Sequence, residues 1–485
     1  MLPANMMEMM LTPRRQNRSG VDILNQKKFH MPTAYTILFL LLILVAAATW
    51  IIPAGSYDYV DGVPVAGTYH TVEQNPQGVG DVLKAAFSGF YDAVDVCIFI
   101  LMVGGFLGVV MKTGAVDAGV GNVIRLLGGR EKWLIPILML LFGLGGTTYG
   151  MWEETMAFYP LLIPVFLAAG YDAVVGISVI LLGAGAGVIA STVNPFATGI
   201  AAGFAGVSLG EGIVLRLLEW VAFEVAAIWF VMAYAAKVKK NPSKSVVGVG
   251  AGKIQVSMDQ QVPFTAKRKV IMALFTLTFL IMVYAVVPFD EMGLSLPALG
   301  WWFPELSALF LVAGVVIGLI DRMSEEELVE TYVAGCADLL GVAFIIGISR
   351  GITVLMNDGA ITDTVLHWGE QALSGAGAIS FTLLVFALYL PLTILIPSSS
   401  GLATLSIPIV APLGKFAGVG GDLVVTAFQS ASGLVNIITP TAAVVMGALA
   451  LGHVPYDRWV KYVWKLILWF LLLALAFLVA GVLLG

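Results

Sequence analysis

The sequence predicts an all-α polytopic membrane protein built from two inverted repeats, each holding a re-entrant hairpin and a broken helix. Three observations carry this expectation. Apolar runs of membrane-spanning length recur along the chain. Three short segments reappear in the same order at nearly one spacing. Four polar interruptions fall at matching places in the two halves.

The 485 residues are 59% hydrophobic and only 12% charged, with a mean hydropathy of +0.94. A soluble chain carries about a quarter charged residues, so the apolar surplus implies a lipid-facing surface. The net charge of -6 is spread out, and with no basic stripe nucleic acid is not expected as a partner. Cys97 and Cys336 suggest neither a disulfide framework nor a metal site. The histidines are scattered, and no metal ion other than possible Na⁺ is expected.

Taken in order, residues 1–30 are polar and basic and read as a cytoplasmic tail rather than a signal peptide. Apolar runs follow near 33–53, 95–113, 174–192, 212–236, 268–288, 306–320, 340–356, 422–437 and 460–484. Strand alternation is absent, so these spans are expected to be helices. Lys and Arg concentrate in the leader (Arg14, Arg15, Arg18, Lys27, Lys28) and in the linker 237–267 (Lys237, Lys239, Lys240, Lys244, Lys253, Lys267). Both should be cytoplasmic. Segments 54–78 and 289–305 lack Lys and Arg, and Trp301 and Trp302 in the second suit an interface. Both should lie outside, and only Lys415 disagrees with this scheme.

Gly89-Phe90-Tyr91-Asp92 matches Gly335-Cys336-Ala337-Asp338, Met111-Lys112-Thr113-Gly114 matches Met356-Asn357-Asp358-Gly359, and Gly170-Tyr171-Asp172 matches Gly420-Gly421-Asp422. The shared order points to a duplication. Repeat one spans 31–236, an extra crossing lies at 268–288, and repeat two spans 306–485. The odd crossing inverts the second repeat, an arrangement of secondary carriers. In each half the first crossing leads into a polar amphipathic stretch, expected to lie flat or to arm a scaffold. In repeat two it opens with Ser324 and Glu325–Glu327, a helix-start pattern.

Thr147, Thr148, Tyr149 and Gly150 form the expected tip of a hairpin over 133–169. Ser398, Ser399 and Ser400 form that of a second hairpin over 376–416. Broken helices are expected over 173–206, with Ser191, Asn194, Pro195 and Thr198 at the break, and over 421–452, with Ser432, Asn436, Thr439, Pro440 and Thr441. Proline removes a donor and frees carbonyls, which here are expected to act as ligands. Hydroxyls and amides suit Na⁺ or a polar solute, and half-helix N-termini suit a carboxylate. Glu153 and Glu154 follow the first tip. A charge at bilayer depth costs about 2.5–3.5 kcal/mol, so one of them is expected to be functional and the other a helix cap. Arg350 is expected either in an internal ion pair or against a substrate carboxylate. Glu219 and Glu224 are expected at a protein interface.

These stretches also carry a resemblance. Residues 31–58, MPTAYTILFLLLILVAAATWIIPAGSYD, together with GMWEETMAFYPLLIPV, GAGVIASTVNPFATGIA, IPSSSGLATLSIPIVAPL and QSASGLVNIITPTAAVVMGALA, resemble the YfcC-type basic amino acid antiporters. That family includes arginine/ornithine antiporters, lies close to the anaerobic four-carbon dicarboxylate carriers and belongs to the ion transporter superfamily. The resemblance implies a scaffold and a transport domain, an elevator movement, a homodimer, a bacterial inner (plasma) membrane with a cytoplasmic N-terminus, and Na⁺ or H⁺ coupling in some branches. It implies one half-site from Thr148, Gly150, Ser191, Asn194 and Thr198. The other would come from Ser398, Ser399, Ser400, Ser432, Asn436, Thr439 and Thr441. Substrate contacts would be Thr148, Gly150, Glu153, Glu154, Asn194, Thr198, Ser398–Ser400, Asn436, Thr439 and Thr441. Ion contacts would be Ser191, Asn194, Ser432, Asn436 and Thr439. The expected activity is carriage of a small solute, a basic amino acid first and a dicarboxylate second. No phosphate-binding loop or nucleophile–base set points to a pump or a hydrolase.

Overall fold

The computed structural model describes residues 34–116, 118–119, 122, 130–148, 150–208, 210–248, 263–286, 296–297 and 299–484. The expected tail 1–30, Tyr149 at the first tip, much of the linker and part of 289–305 lie outside the described residues.

The first helices are α1 (Ala34–Ala48), α2 (Val79–Asp92) and α3 (Val94–Lys112). Between α1 and α2 four two-residue strands form, β1 (Gly55–Ser56), β2 (Tyr59–Val60), β3 (Val63–Pro64) and β4 (His70–Thr71). β1 pairs antiparallel with β4, and β2 with β3. The β2–β3 turn uses Asp61 and Gly62, both at positive φ, as a two-residue hairpin loop requires.

Next come α4 (Leu134–Thr148), a 3₁₀ turn over Glu153–Phe158, α5 (Tyr159–Ala168) and α6 (Ala173–Ile189). A wide turn over Pro195–Gly199 leads to α7 (Ile200–Ala205), then α8 (Ile213–Lys240), α9 (Ala266–Val286) and α10 (Phe303–Asp321). The remainder is α11 (Glu325–Asp358), α12 (Thr362–Leu373), α13 (Ala378–Leu395), α14 (Ser399–Ala417), α15 (Gly421–Asn436), α16 (Ala443–Leu451) and α17 (Tyr456–Leu484). Among the described residues six helices are long and apolar enough to cross a membrane.

The helices pack in two groups. In one, α11 lies along α2 and α3, with α1 beside it, and α10 packs on α3 and α9. The expected amphipathic stretch of repeat two is not a separate helix. The Ser324 hydroxyl accepts the Glu327 N–H at 3.1 Å, and from there α11 runs 34 residues without a break. Its counterpart in repeat one divides at Ala93, between α2 and α3. α11 runs antiparallel to α2–α3. Gly335 meets the backbone of Gly104 so closely that a Cβ there would overlap the Gly104 carbonyl, while Gly89 meets Gly347 and Gly351.

In the other group α4, α5 and α8 surround α6, and α13, α14 and α17 pack on α15. Every residue of α6 is buried, and its small residues let neighbouring helices pack against it on all sides. α6 and α15 cross where Gly433 meets the backbone of Ile189. α8 shows the reverse of a soluble helix. Val214, Leu218, Val221, Val225 and Trp229 are exposed, while Arg216, Glu219 and Glu224 are buried. The two acids, expected at a protein interface, lie inside this chain's own helix packing.

Outside the helices the β segment is tied to α12. Asp363 accepts the Tyr57 N–H at 2.9 Å and the Tyr59 hydroxyl at 2.8 Å, and Glu370 accepts the Tyr57 hydroxyl at 2.8 Å. Burial, then the Glu370 carboxylate, push the Tyr57 hydroxyl pKa up.

Candidate functional site

At the first tip α4 ends in Gly145-Gly146-Thr147-Thr148 and meets the break after α6. The Thr147 hydroxyl donates to Ala190 O at 2.8 Å, and Thr147 O accepts the Thr192 N–H at 2.9 Å. Gly150, at φ +78°, lies against Asn194 with no room for a Cβ. Tip and break are therefore fastened to each other. Beyond them the Trp152 N–H donates to Glu154 Oε2 at 3.1 Å. Glu154 thus binds the backbone at the start of the 3₁₀ turn. Glu153 is half-buried, and its carboxylate accepts no hydrogen bond from another described residue.

At the second tip Ser398 caps α14, accepting the Gly401 N–H at 3.2 Å. The N-terminus of α14 thereby presents its unpaired N–H groups, with their positive partial charge, beside the serines. At the second break the Thr439 and Thr441 hydroxyls bond to each other at 2.8 Å. The carbonyls here were expected to be free for ligands, but three are occupied. Ile437 O accepts Trp459 Nε1–H, Ile438 O accepts the Tyr456 hydroxyl, and Thr441 O accepts the Ser349 hydroxyl. A buried carbonyl without a donor is costly, and neighbouring helices supply the donors.

A cavity of about 230 Å³ opens between the two helix groups. It brings together Gly150, Glu153, Glu154, Asn194, Ser398, Ser399, Ser400, Asn436 and Thr441. The remaining expected site residues do not line it. Thr148 bonds back to Leu144 O at 2.6 Å, and Thr198 and Ser191 are buried against each other at 2.7 Å. Thr439 sits behind Thr441, and Ser432 is buried within α15. Of the other wall only Arg350 was singled out by the sequence as a candidate. Asp92 and Asp95 come from the α2–α3 junction, Ser349 and Arg350 from α11, and Trp302 and Phe303 from the start of α10. Trp302, expected at an interface, lines the cavity. Asp92 stands in a repeated segment, the one signal that could have singled it out. Arg350 Nε lies 3.9 Å from Asp92 Oδ2, an internal pair, and the arginine also lines the cavity. Four carboxylates and one guanidinium line the space. Among the described residues no cluster of three metal-ligating side chains is present.

Residues 31–483 match the family model of the DcuC, C4-dicarboxylate anaerobic carriers. The chain belongs to that family. It is 35% identical to an uncharacterized protein of Haemophilus influenzae, over 94% of this chain and 98% of that one. It is 30% identical to YfcC of Escherichia coli K12, provisionally named a basic amino acid antiporter, over 90% and 93% of the two chains. Two solved structures align at a TM-score of 0.42 each. They are the Alcanivorax borkumensis transporter YdaH, 16% identical over 91% of this chain and 98% of its own, and the Neisseria gonorrhoeae antimetabolite efflux pump MtrF, 18% identical over 92% and 94%. The protein is a membrane transporter of the DcuC/YfcC family.

Proposed function

We propose that the chain is a secondary carrier of cationic amino acids, and that the cavity between the two helix groups is its solute site. The observation that carries this is the charge of the lining, where among the described residues Asp92, Asp95, Glu153 and Glu154 are set against Arg350. A basic amino acid brings one carboxylate and two cationic groups. Arg350 and the α14 N-terminus suit the carboxylate, and the acids suit the cations. A four-carbon dicarboxylate would bring two carboxylates to a lining that already holds four carboxyl groups and one guanidinium. The name of the Escherichia coli relative agrees with the first reading. The antiparallel lie of α11 along α2–α3 supports inverted repeats, and a site walled by two groups supports an elevator movement of one against the other.

Counterflow in proteoliposomes tests this, with a panel of amino acids and dicarboxylates. Arginine, lysine or ornithine should exchange, and Glu153→Gln should weaken that exchange by about 10–100-fold, the worth of a charge-assisted contact of about 1.5–3 kcal/mol. Glu154→Gln should do so less, since its carboxylate already serves Trp152. Exchange of dicarboxylates alone, or full arginine exchange by Glu153→Gln, sinks the reading.

A further inference from the structure

α8 carries a second acid site that the cavity does not use. Glu224 is 1% exposed, and neither carboxylate oxygen has a hydrogen-bond partner among the described residues. Its Oε2 fills the place beside Gly143 on α4 that a Cβ would otherwise occupy. Five residues earlier Glu219 is fully buried, with Oε1 accepting the Ser430 hydroxyl at 2.8 Å from α15 and Oε2 unpartnered. Gln429 Oε1, next to Ser430, is also unpartnered. The helices packed on α8 are α4, α6 and α17. Among the described residues no charged group on them acts on Glu224. Tyr462 of α17 meets α8 further along, at Phe230 and Tyr234. On α8 itself Arg216 stands near Glu219 and Asp422.

A buried carboxylate without donors must be neutralised. A metal cation would need several further oxygens around it, and Glu224 is wedged against a glycine backbone instead. A proton needs no such space. α4 ends little more than one turn beyond Gly143, at Thr148 and the first tip. A charged Glu224 would need water in the α4–α8 seam, so its protonation and the position of α4 are linked.

We infer that Glu224 is a proton-binding site, separate from the solute cavity, filled and emptied as α4 moves against α8. This rests on the carrier reading above and names its coupling ion.

Intact wild type, Glu224→Gln, Glu224→Asp and Glu219→Gln are reconstituted and measured in three ways. Infrared difference spectra in H₂O and D₂O report the carbonyl stretch of a protonated carboxyl without any transport. Wild type should show the band, Glu219→Gln should keep it at Glu224, Glu224→Asp should shift it and Glu224→Gln should lose it. Arginine counterflow without a gradient should stay within about twofold in Glu224→Gln, because the residue lies outside the cavity. A gradient of about one pH unit should drive accumulation up to about tenfold in wild type if one proton is coupled per solute, and none in Glu224→Gln. The inference is overturned if no band depends on Glu224, if Glu224→Asp leaves the band unmoved, or if Glu224→Gln accumulates like wild type. It is overturned equally if only a Na⁺ gradient drives uptake. Should wild type exchange no basic amino acid, the carrier reading fails, and the band alone still decides whether Glu224 holds a proton.

Discussion

Replacing Gly150 by alanine tests the joint between the first tip and the first break. Gly150 holds φ +78°, and a Cβ there would overlap the Asn194 side-chain amide. The left-handed conformation costs an L-residue about 1–2 kcal/mol. Forcing a methyl into a filled site costs about 1–3 kcal/mol more. The sum, about 2–5 kcal/mol, corresponds to a factor of about 30 to several thousand in the population of the intact tip. Thermal unfolding of the purified protein and arginine counterflow report it together. Gly150→Ala should lower Tm, or raise the half-saturating solute concentration if the tip shifts instead. Asn194→Ala removes the overlap but not the backbone cost. The double variant should therefore be less impaired than the two single effects combined, by the steric share of about 1–3 kcal/mol. A Gly150→Ala protein with wild-type Tm and counterflow refutes the argument, and so does a double variant whose effects merely add.

Other expectations follow from contacts elsewhere. Asp363→Ala removes acceptors from the Tyr57 N–H and the Tyr59 hydroxyl; at about 1–1.5 kcal/mol per bond it should speed proteolytic cutting within 53–71 and lower Tm. Gly335→Ala sets a methyl against the backbone of Gly104, which cannot swing aside as a side chain can; a loss of about 1–3 kcal/mol should appear as lower Tm or poor yield of folded protein. Because the Tyr57 hydroxyl pKa is raised above its ordinary 10.0, its contribution is whole below pH 10 and fades as pH climbs toward the folded value. Wild type should therefore lose more Tm between pH 9 and 11, in about the expected range of tyrosine titration, than Tyr57→Phe.

The helices were legible in the sequence because lipid demands long apolar runs, and α3, α8, α10, α15 and α17 begin and end within a few residues of the runs that announce them. Pro195 and Pro440 likewise fall in the breaks that follow α6 and α15. The half of the cavity built from tips and breaks was legible because polar residues stand out against apolar neighbours. Of the opposite wall only Arg350 stood out, as a charge inside an apolar span. Asp92, Asp95 and Arg350 face the tips only because α2, α3 and α11 lie against one another, and no local pattern encodes that contact. The occupied carbonyls escaped for the same reason. Ser349 reaches Thr441 from 92 positions away in the chain. The four short strands were too brief for alternation to show, although Asp61-Gly62 marks their turn.

The boundary between the two helix groups has a mechanical character of its own. Among the described residues two hydrogen bonds leave α11 across it, from the Ser349 hydroxyl to Thr441 O at 2.6 Å and from the Thr353 hydroxyl to Leu395 O at 3.5 Å. Around them the contact is greasy, as where Gly447 nestles against Met156 and Val342. Apolar side chains trade one neighbour for the next with little loss as they slide, whereas each polar pin must be undone, at about 0.5–1.5 kcal/mol. Such a seam is lubricated rather than locked. Its friction is set by a few small hydroxyls, and polishing them away should make the two halves shear more freely.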